Sequence, residues 1–293
     1  MSAADRPVAA PAPLGQAVRQ SRPLHAAALA WLARLAWLAG LACASAGAAR
    51  AQVPEQVVDI LTRPGVTQRF LYLAPAAPKA AVVLYAGGHG GLRIFPNGSM
   101  GWGAGNFVVR TRQDFAAAGL AVAVVDAPSD RLSPPYLNGF RQGAEHAADA
   151  RAVIAWVREH AKVPVWLVGT SRGTQSVAAI AIRLADGGGP DGIVLTSTIL
   201  REERGRAVPQ MELARLALPV LVVHHKDDGC KLCPVADTGM LMDRLTAAPR
   251  KELVVVSGGS NQGDPCEAMA YHGYNGIEPQ VVQSIATWIT AAR

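Results

Sequence analysis

Beyond residue 51 the sequence lacks a hydrophobic run long enough to cross a membrane, and it has no internal repeat or low-complexity tract. Strong charge is missing as well, because charged residues make up only 17% of the chain and the formal net charge is +6. Five arginines and one aspartate within residues 1–50 supply +4 of that charge, so +2 remains for the rest. So small an excess argues against a nucleic-acid partner, which would need a clustered basic face.

The first 51 residues have the composition of an export signal. Four arginines precede the uncharged apolar run Leu35–Ala44, which is too short to span a bilayer, and small residues stand before Gln52 where a signal peptidase reads them. We therefore expect residues 1–51 to be a signal peptide and the mature chain to be periplasmic or secreted, with no stable membrane insertion. A lipoprotein anchor at Cys43 is the competing reading, and it is weakened by Gly40, which stands where a large aliphatic residue is expected.

Residues 52–293 are long enough for one α/β domain with a sizeable core. After an opening hairpin, short apolar runs alternate with amphipathic segments, a pattern that predicts a mostly parallel sheet covered by helices on both faces. The predicted strands are Val57–Leu61, Thr67–Leu73, Ala80–Ala86, Ala121–Val125, Val163–Val168, Gly192–Thr196, Leu218–Val223 and Glu252–Val256. The predicted helices are Asn106–Ala118, Ala144–His160, Ser176–Leu184, Pro234–Thr246 and Ile277–Thr290. No connecting stretch is long enough for a large helical lid.

The segment Gly169-Thr170-Ser171-Arg172-Gly173 directly follows a predicted buried strand and precedes a predicted helix. Strand, G-x-S-x-G and helix form the context of a nucleophile elbow, in which flanking glycines let the chain turn sharply and expose the serine. A G-x-S-x-G motif alone often occurs by chance in a turn without chemistry. The flanking elements favour Ser171 as a catalytic nucleophile.

A serine nucleophile needs a base and an acid, which follow it along the chain in this arrangement. His272 is the one histidine that comes after the penultimate strand's acid, and it lies in the loop before the last helix. Asp227 and Asp228 both stand just beyond that strand. We favour Asp228, because the spacing from His224 matches the H-G-x-x-D pattern of such strands.

A glycine-rich loop at residues 87–91 follows the first parallel strand. Glycines there let backbone N–H groups approach a ligand closely, as an oxyanion hole requires. We expect one donor to be the N–H of Arg172 and the other to be the N–H of Gly88 or His89. A flexible loop without a ligand is the alternative.

Three cysteines remain after the leader, an odd number that predicts one disulfide and one free thiol in an exported chain. Cys230 and Cys266 are the favoured pair, since they lie near the predicted acid and base, and Cys233 competes for Cys266. Zinc at Cys230-x-x-Cys233 is disfavoured, because no second ligand pair follows at a suitable spacing. We therefore expect no metal.

These residues resemble the α/β-hydrolase superfamily. The resemblance rests on GGHGG at 87–91, GTSRG at 169–173, HHKDDGC at 224–230 and CEAMAYHGYNGIE at 266–278, and it extends from about Val57 to Trp288. Within the superfamily the chain looks like exported bacterial serine hydrolases of the dienelactone hydrolase and esterase type. In that group a cysteine after the acid and a cysteine before the His-Gly recur together.

The resemblance implies an eight-stranded sheet and hydrolysis through an acyl-enzyme without a cofactor. Ser171 would be the nucleophile, Asp228 the acid and His272 the base, acting on a small-molecule or polymer-derived ester and less readily on an amide. Two departures are Cys233, which has no evident role, and Arg172, which could bind an acidic substrate group or form a nearby salt bridge. The alternatives are a peptidase and a non-catalytic binding or sensor protein on a hydrolase scaffold.

Overall fold

An eight-stranded sheet forms the centre of the computed structural model, which describes residues 52–202 and 205–291. The predicted signal peptide lies outside the described residues. The strands are β1 (Gln56–Arg63), β2 (Val66–Leu73), β3 (Ala80–Tyr85), β4 (Leu120–Val125), β5 (Val165–Thr170), β6 (Gly192–Thr196), β7 (Val220–His225) and β8 (Lys251–Val256).

The strand order is β1-β2-β4-β3-β5-β6-β7-β8. The hairpin strands β1 and β2 run antiparallel to their neighbours, and β3 to β8 are parallel to one another. The predicted edge hairpin and mostly parallel eight-stranded sheet are thereby confirmed.

Six α-helices lie among the described residues. They are α1 (Phe107–Arg110), α2 (Arg112–Ala117), α3 (Ala144–Ala161), α4 (Arg172–Arg183), α5 (Thr238–Arg244) and α6 (Glu278–Thr290). None of these helices is long and apolar enough to cross a bilayer.

Two helix predictions need correction. The helix expected over Asn106–Ala118 is divided at Thr111, whose backbone leaves the helical region and whose hydroxyl donates to the Phe107 carbonyl at 2.7 Å. A side chain that hydrogen-bonds backward in this way competes with the regular helical ladder. The helix expected over Pro234–Thr246 begins with a 3-10 turn, and only Thr238–Arg244 is α-helical.

The inner strands β3 to β7 are buried on both faces, as their continuous apolar sequences predict. Alternate residues of β3 pack into the two hydrophobic cores on opposite faces of the sheet. Val83 lies in the core that includes residues of α3 and α4, and Val82 lies in the core that includes residues of α1, α2 and α6. This arrangement leaves the carboxyl ends of the parallel strands as the edge where a site can form.

His146 and His224 are buried in these layers and stay neutral. His146 on α3 packs edge-on against the rings of Tyr85 and Phe140, and burial lowers its pKa to about 3. His224 at the end of β7 accepts the N–H of Thr198 at its Nε2 (2.9 Å), and burial lowers its pKa to about 4. An unfolded histidine has a pKa of about 6.5, so acid favours the unfolded chain.

We expect stability to be complete above about pH 7 and to fall as the pH drops from about 6.5 towards 4. For His224 the loss at pH 4 is on the order of 2–3 kcal/mol, because folding lowers its pKa from the ordinary value of about 6.5 to about 4. Urea unfolding at several pH values measures this change in the free energy of unfolding. His224→Gln, which keeps a hydrogen-bond acceptor but does not titrate, should flatten the pH dependence, and the exposed His160→Gln should not. Identical slopes for all three proteins would contradict this assignment.

A second prediction concerns Gly173 in the first turn of α4. A Cβ at this position would overlap the carbonyl oxygen of Tyr85 at the end of β3. Gly173→Ala should lower the free energy of unfolding by about 1–3 kcal/mol or more, because backbone atoms cannot yield as a side chain can. Gly239→Ala in α5 is the matched control: no atom lies within 4 Å of its Cβ, and added helix propensity should stabilise the protein by about 0.5–1 kcal/mol. Equal effects at the two positions would refute the packing argument.

Candidate active site

The predicted nucleophile occupies a sharp turn between β5 and α4. Ser171 has φ +52° and ψ −126°, a backbone conformation that residues other than glycine rarely adopt. Its N–H donates to the Thr196 carbonyl at 3.0 Å, and its own carbonyl accepts the hydroxyl of Thr174 at 2.6 Å. Helix α4 begins at Arg172, four residues before the predicted start, so the serine directly precedes the positive end of a helix.

The two glycines of the motif act differently from the expectation. Neither Gly169 nor Gly173 has a positive φ, so the sharp turn is made by Ser171 itself. They are required by close packing, because a Cβ at Gly169 would lie 2.5 Å from the Gly173 carbonyl oxygen. Small residues at both positions let α4 pack directly on the ends of β5 and β3.

His272 and Asp228 come together as the sequence predicts. His272 Nδ1 lies 2.9 Å from Asp228 Oδ2, and Asp228 Oδ1 accepts the N–H of Cys230 at 2.9 Å. Both side chains are buried. An ionised carboxylate can only accept, so Nδ1 carries the proton and Nε2 is left as the basic nitrogen. That Nε2 is buried and has no hydrogen-bond partner.

Asp227 is placed elsewhere. Its side chain is exposed, and it faces Lys226 at 3.8 Å instead of the imidazole. The spacing argument that favours Asp228 therefore selects the aspartate that contacts His272.

Three contacts fix the loop that carries His272. The Ser197 hydroxyl donates to the His272 carbonyl at 2.7 Å, and the Arg110 guanidinium donates to the Gly273 carbonyl at 2.7 Å. The hydroxyl of the fully buried Tyr274 accepts the N–H of Ser197 at 2.9 Å. These bonds tie the loop to the end of β6 and to α1.

One cavity of about 370 Å³ contains Ser171, His272, Gly88 and Arg172 among its lining residues, and Trp102 forms part of its wall. The structure thus brings the predicted nucleophile and base to one open space. The Ser171 hydroxyl makes no hydrogen bond to the imidazole in this structure. Catalytic hydrogen bonds are often long or poorly aligned before substrate binds.

The glycine-rich loop after β3 lies beside Ser171. A Cβ at Gly87 would lie 3.0 Å from the Ser171 Cβ, and Gly88 has φ +55°. The N–H groups of Gly88 and His89 have no acceptor among the described residues. As the first residue of α4, Arg172 has no intrahelical acceptor for its N–H either.

The His89 side chain supports this loop without entering the cavity lining. Its ring lies between Trp102 and Tyr136, with ring centroids 3.7 Å and 4.2 Å away, and its Nδ1 accepts the Gly91 N–H. Burial lowers the pKa of His89, so the ring is neutral at pH 7 and packs as an aromatic group.

Arg141 is a residue of this site that the sequence does not reveal. Its guanidinium is buried, donates to the carbonyls of Ala86 at 3.1 Å and Gly88 at 3.0 Å, and donates to the Ser176 hydroxyl at 2.8 Å. Burial lowers its pKa to about 9, which leaves it charged at neutral pH. Its only sequence signal is a position in the long loop before α3.

Asp126 holds the other end of the same loop. Its buried carboxylate accepts the N–H groups of Leu92 and Ile94, each at 2.7 Å, and those of Arg93 and Ala127. Four backbone donors satisfy this carboxylate, so Asp126 is a structural support and not a reacting group.

Of the two roles open for Arg172, the structure contains the salt bridge. Its guanidinium lies 2.5 Å from a carboxylate oxygen of Glu202, whose side chain is almost fully buried. The Arg172 side chain also lines the cavity of Ser171.

The structure contains a Cys230–Cys266 disulfide, the pairing that the sequence favours, and Cys233 is a buried free thiol. Closing a loop of this length stabilises a protein by about 3–4 kcal/mol in the chain-entropy model. The bond joins the loop of Asp228 to the loop of His272. Burial raises the pKa of the Cys233 thiol well above its usual value, so it is protonated at neutral pH and does not attack the neighbouring disulfide.

No family model and no curated protein matches the sequence. Solved structures do match. Dienelactone hydrolase from Anabaena variabilis is 17% identical over 81% of this chain and 97% of its own, with a TM-score of 0.54. A cold-adapted esterase from an Arctic intertidal metagenomic library is 18% identical over 81% and 95%, with a TM-score of 0.55.

A third match is a Xanthomonas campestris protein described as an α/β serine hydrolase without lid. It is 15% identical over 83% of this chain and all of its own, with a TM-score of 0.52. Together with the eight-stranded sheet and its elbow, these likenesses establish the architecture. The part of the chain that the structure describes has the α/β-hydrolase fold, built without a large lid.

Proposed function

We propose that this protein is a serine hydrolase that cleaves carboxylic esters through an acyl-enzyme on Ser171. The observation that carries the proposal is the buried Asp228–His272 pair: its Nε2 has no hydrogen-bond partner, and His272 lines the cavity that also contains Ser171. A buried imidazole nitrogen without a partner is costly unless a ligand or substrate proton uses it. Ser171 lies in the sharp turn between β5 and α4, and its hydroxyl is the group whose proton Nε2 would accept.

In this mechanism Ser171 Oγ attacks the substrate carbonyl while His272 Nε2 accepts the hydroxyl proton. Asp228 keeps the imidazole in the required tautomer and stabilises the imidazolium. The C–O bond to the leaving alcohol then breaks, and the proton passes from His272 to that alcohol. Water, deprotonated by His272, attacks the acyl-enzyme and releases the acid and Ser171.

The oxyanion would be held by the N–H of Arg172 and by the N–H of Gly88 or His89. This assignment is supported by the absence of other acceptors for the Gly88 and His89 donors among the described residues. Arg141 would act as a positioning residue, because it binds the carbonyls of the same loop and so orients its N–H groups. Such donors act best when they are fixed before the reaction.

We propose a small-molecule or polymer-derived ester as the substrate. The cavity is open and of modest volume, and no large lid covers it among the described residues. All groups in the mechanism are side chains and backbone donors, so we propose no cofactor.

The disulfide is typical of an oxidising compartment, which supports export through a signal peptide at residues 1–51 and action in the periplasm or outside the cell.

The first test replaces the proposed nucleophile. Ser171→Ala should lower the rate of hydrolysis of short p-nitrophenyl esters by at least about 10⁴-fold, because no acyl-enzyme can form. A fluorophosphonate probe should label the wild-type protein and not the variant. Ser284→Ala on α6, which makes no side-chain hydrogen bond among the described residues, is the control and should behave as wild type. Wild-type protein that neither hydrolyses esters nor reacts with the probe would favour a binding or sensor protein.

The second test separates the two neighbouring aspartates. Asp228→Asn should reduce kcat by roughly 10³–10⁴-fold, because an amide can donate to Nδ1 and so favours the wrong imidazole tautomer. Asp227→Asn, one residue away and exposed, should change kcat by less than about twofold. Steady-state kinetics on one ester measures both. If the Asp227 variant is the impaired one, the proposed acid is wrong.

A further inference from the structure

Four potential metal ligands meet beside the proposed active site. The Sγ atoms of Cys230 and Cys233 and one ring nitrogen of His272 all lie within 4.8 Å of one another, and all three residues are buried. Cys266 Sγ is bonded to Cys230 Sγ and therefore lies next to the same group. Three sulfurs and an imidazole are the ligand set of a Cys₃His zinc site.

The spacing of these residues also fits zinc. Two residues separate Cys230 from Cys233, and five separate Cys266 from His272. Structural zinc sites commonly combine a first pair two to four residues apart with a second pair three to five residues apart. This pair corrects the expectation that no second ligand pair follows Cys230-x-x-Cys233 at a suitable spacing: Cys266 and His272 have that spacing, and Cys266 becomes a ligand only when the disulfide is reduced.

The disulfide decides whether this ligand set is available. Zinc binds thiolate sulfur, and a sulfur within a disulfide is a poor ligand, so only Cys233 and His272 could bind in the oxidised protein. Ligand atoms around tetrahedral zinc are about 3.5–3.8 Å apart, as follows from Zn–S and Zn–N lengths of about 2.3 and 2.0 Å. A contraction of about 1 Å would bring the three clustered atoms to that spacing.

We propose that reduction of the Cys230–Cys266 disulfide creates a Zn²⁺ site from Cys230, Cys233, Cys266 and His272, and that the bound metal inactivates the hydrolase. A dithiol or phosphine reductant gives two electrons to the disulfide and is itself oxidised, leaving two cysteine thiols. Zinc then binds the imidazole and three thiolates, and the three thiol protons pass to solvent. The proposal has two parts, the binding of zinc and the inactivation that follows. The inactivation half rests on the proposed function, because it requires His272 as the base. The binding half does not.

The binding half is tested with Co²⁺ as a spectroscopic probe. The purified protein is reduced with a phosphine under anaerobic conditions, freed of reductant and titrated with Co²⁺. We expect one equivalent to give the intense visible bands of tetrahedral Co²⁺ and thiolate charge-transfer absorption, both removed by Zn²⁺. The oxidised protein should give neither signal. Near-UV circular dichroism before metal addition must show that the reduced protein is folded, and a reduced protein that has unfolded would overturn the proposal.

Variants localise the site. Cys233→Ser removes one of the three thiolates and keeps the other two cysteines, so the reduced variant should bind Co²⁺ more weakly and show weaker charge-transfer absorption than reduced wild type. His160→Gln removes an exposed histidine far along the chain and should titrate as wild type does. Equal Co²⁺ spectra for reduced wild type and reduced Cys233→Ser, or no such spectrum in reduced wild type, would overturn the assignment.

The inactivation half is measured as ester hydrolysis with and without Zn²⁺. Reduced wild-type protein should lose its activity when one equivalent of Zn²⁺ is added and regain it with a chelator, and the oxidised protein should be insensitive. Equal inhibition of both forms would place the zinc elsewhere. Because Co²⁺ binding is read from a spectrum, a protein without esterase activity would refute the proposed function and still test the metal site.

Discussion

The structure of the site depends on one buried carboxylate. Asp228 is removed from water, and a carboxylate in that position is tolerated only if its oxygens are hydrogen-bonded. One oxygen accepts the N–H of Cys230, and the other accepts the Nδ1–H of His272. The loops that carry Cys230 and His272 must therefore both lie against the Asp228 side chain. The disulfide between Cys230 and Cys266 and the bonds of the His272 loop to Ser197 and Arg110 meet this requirement.

The glycine-rich loop beside Ser171 is also held by buried charged groups, one positive and one negative. Its first carbonyls are bound by the Arg141 guanidinium, and its last N–H groups are bound by the Asp126 carboxylate. Between these two ends, the N–H groups of Gly88 and His89 have no acceptor among the described residues. The two ions fix the loop and leave its donors available to a substrate.

The sequence predicts the sheet well and also identifies the residues of the proposed site, because both have local signals. Continuous apolar strands can be recognised without knowledge of their neighbours, and chain order together with spacing selects Ser171, Asp228 and His272. Features that arise from tertiary contacts have no such signal. The start of α4 at Arg172 lacks apolar periodicity and follows from the packing of Gly173 on Tyr85. The Arg141 contacts depend on a loop whose path the sequence does not specify.

The third cysteine, Cys233, lies beside the disulfide and His272. In the oxidised protein Cys233 is a buried neutral thiol with no bonding partner, and the two other sulfurs of the group are held in a covalent bond. That bond therefore does two things at once: it fixes the acid loop to the base loop, and it withholds two thiolates from any metal that would bind His272. Losing it removes both effects, so the same change that loosens the loops also exposes the imidazole to zinc. A site arranged in this way is suited to an oxidising compartment, where the disulfide persists.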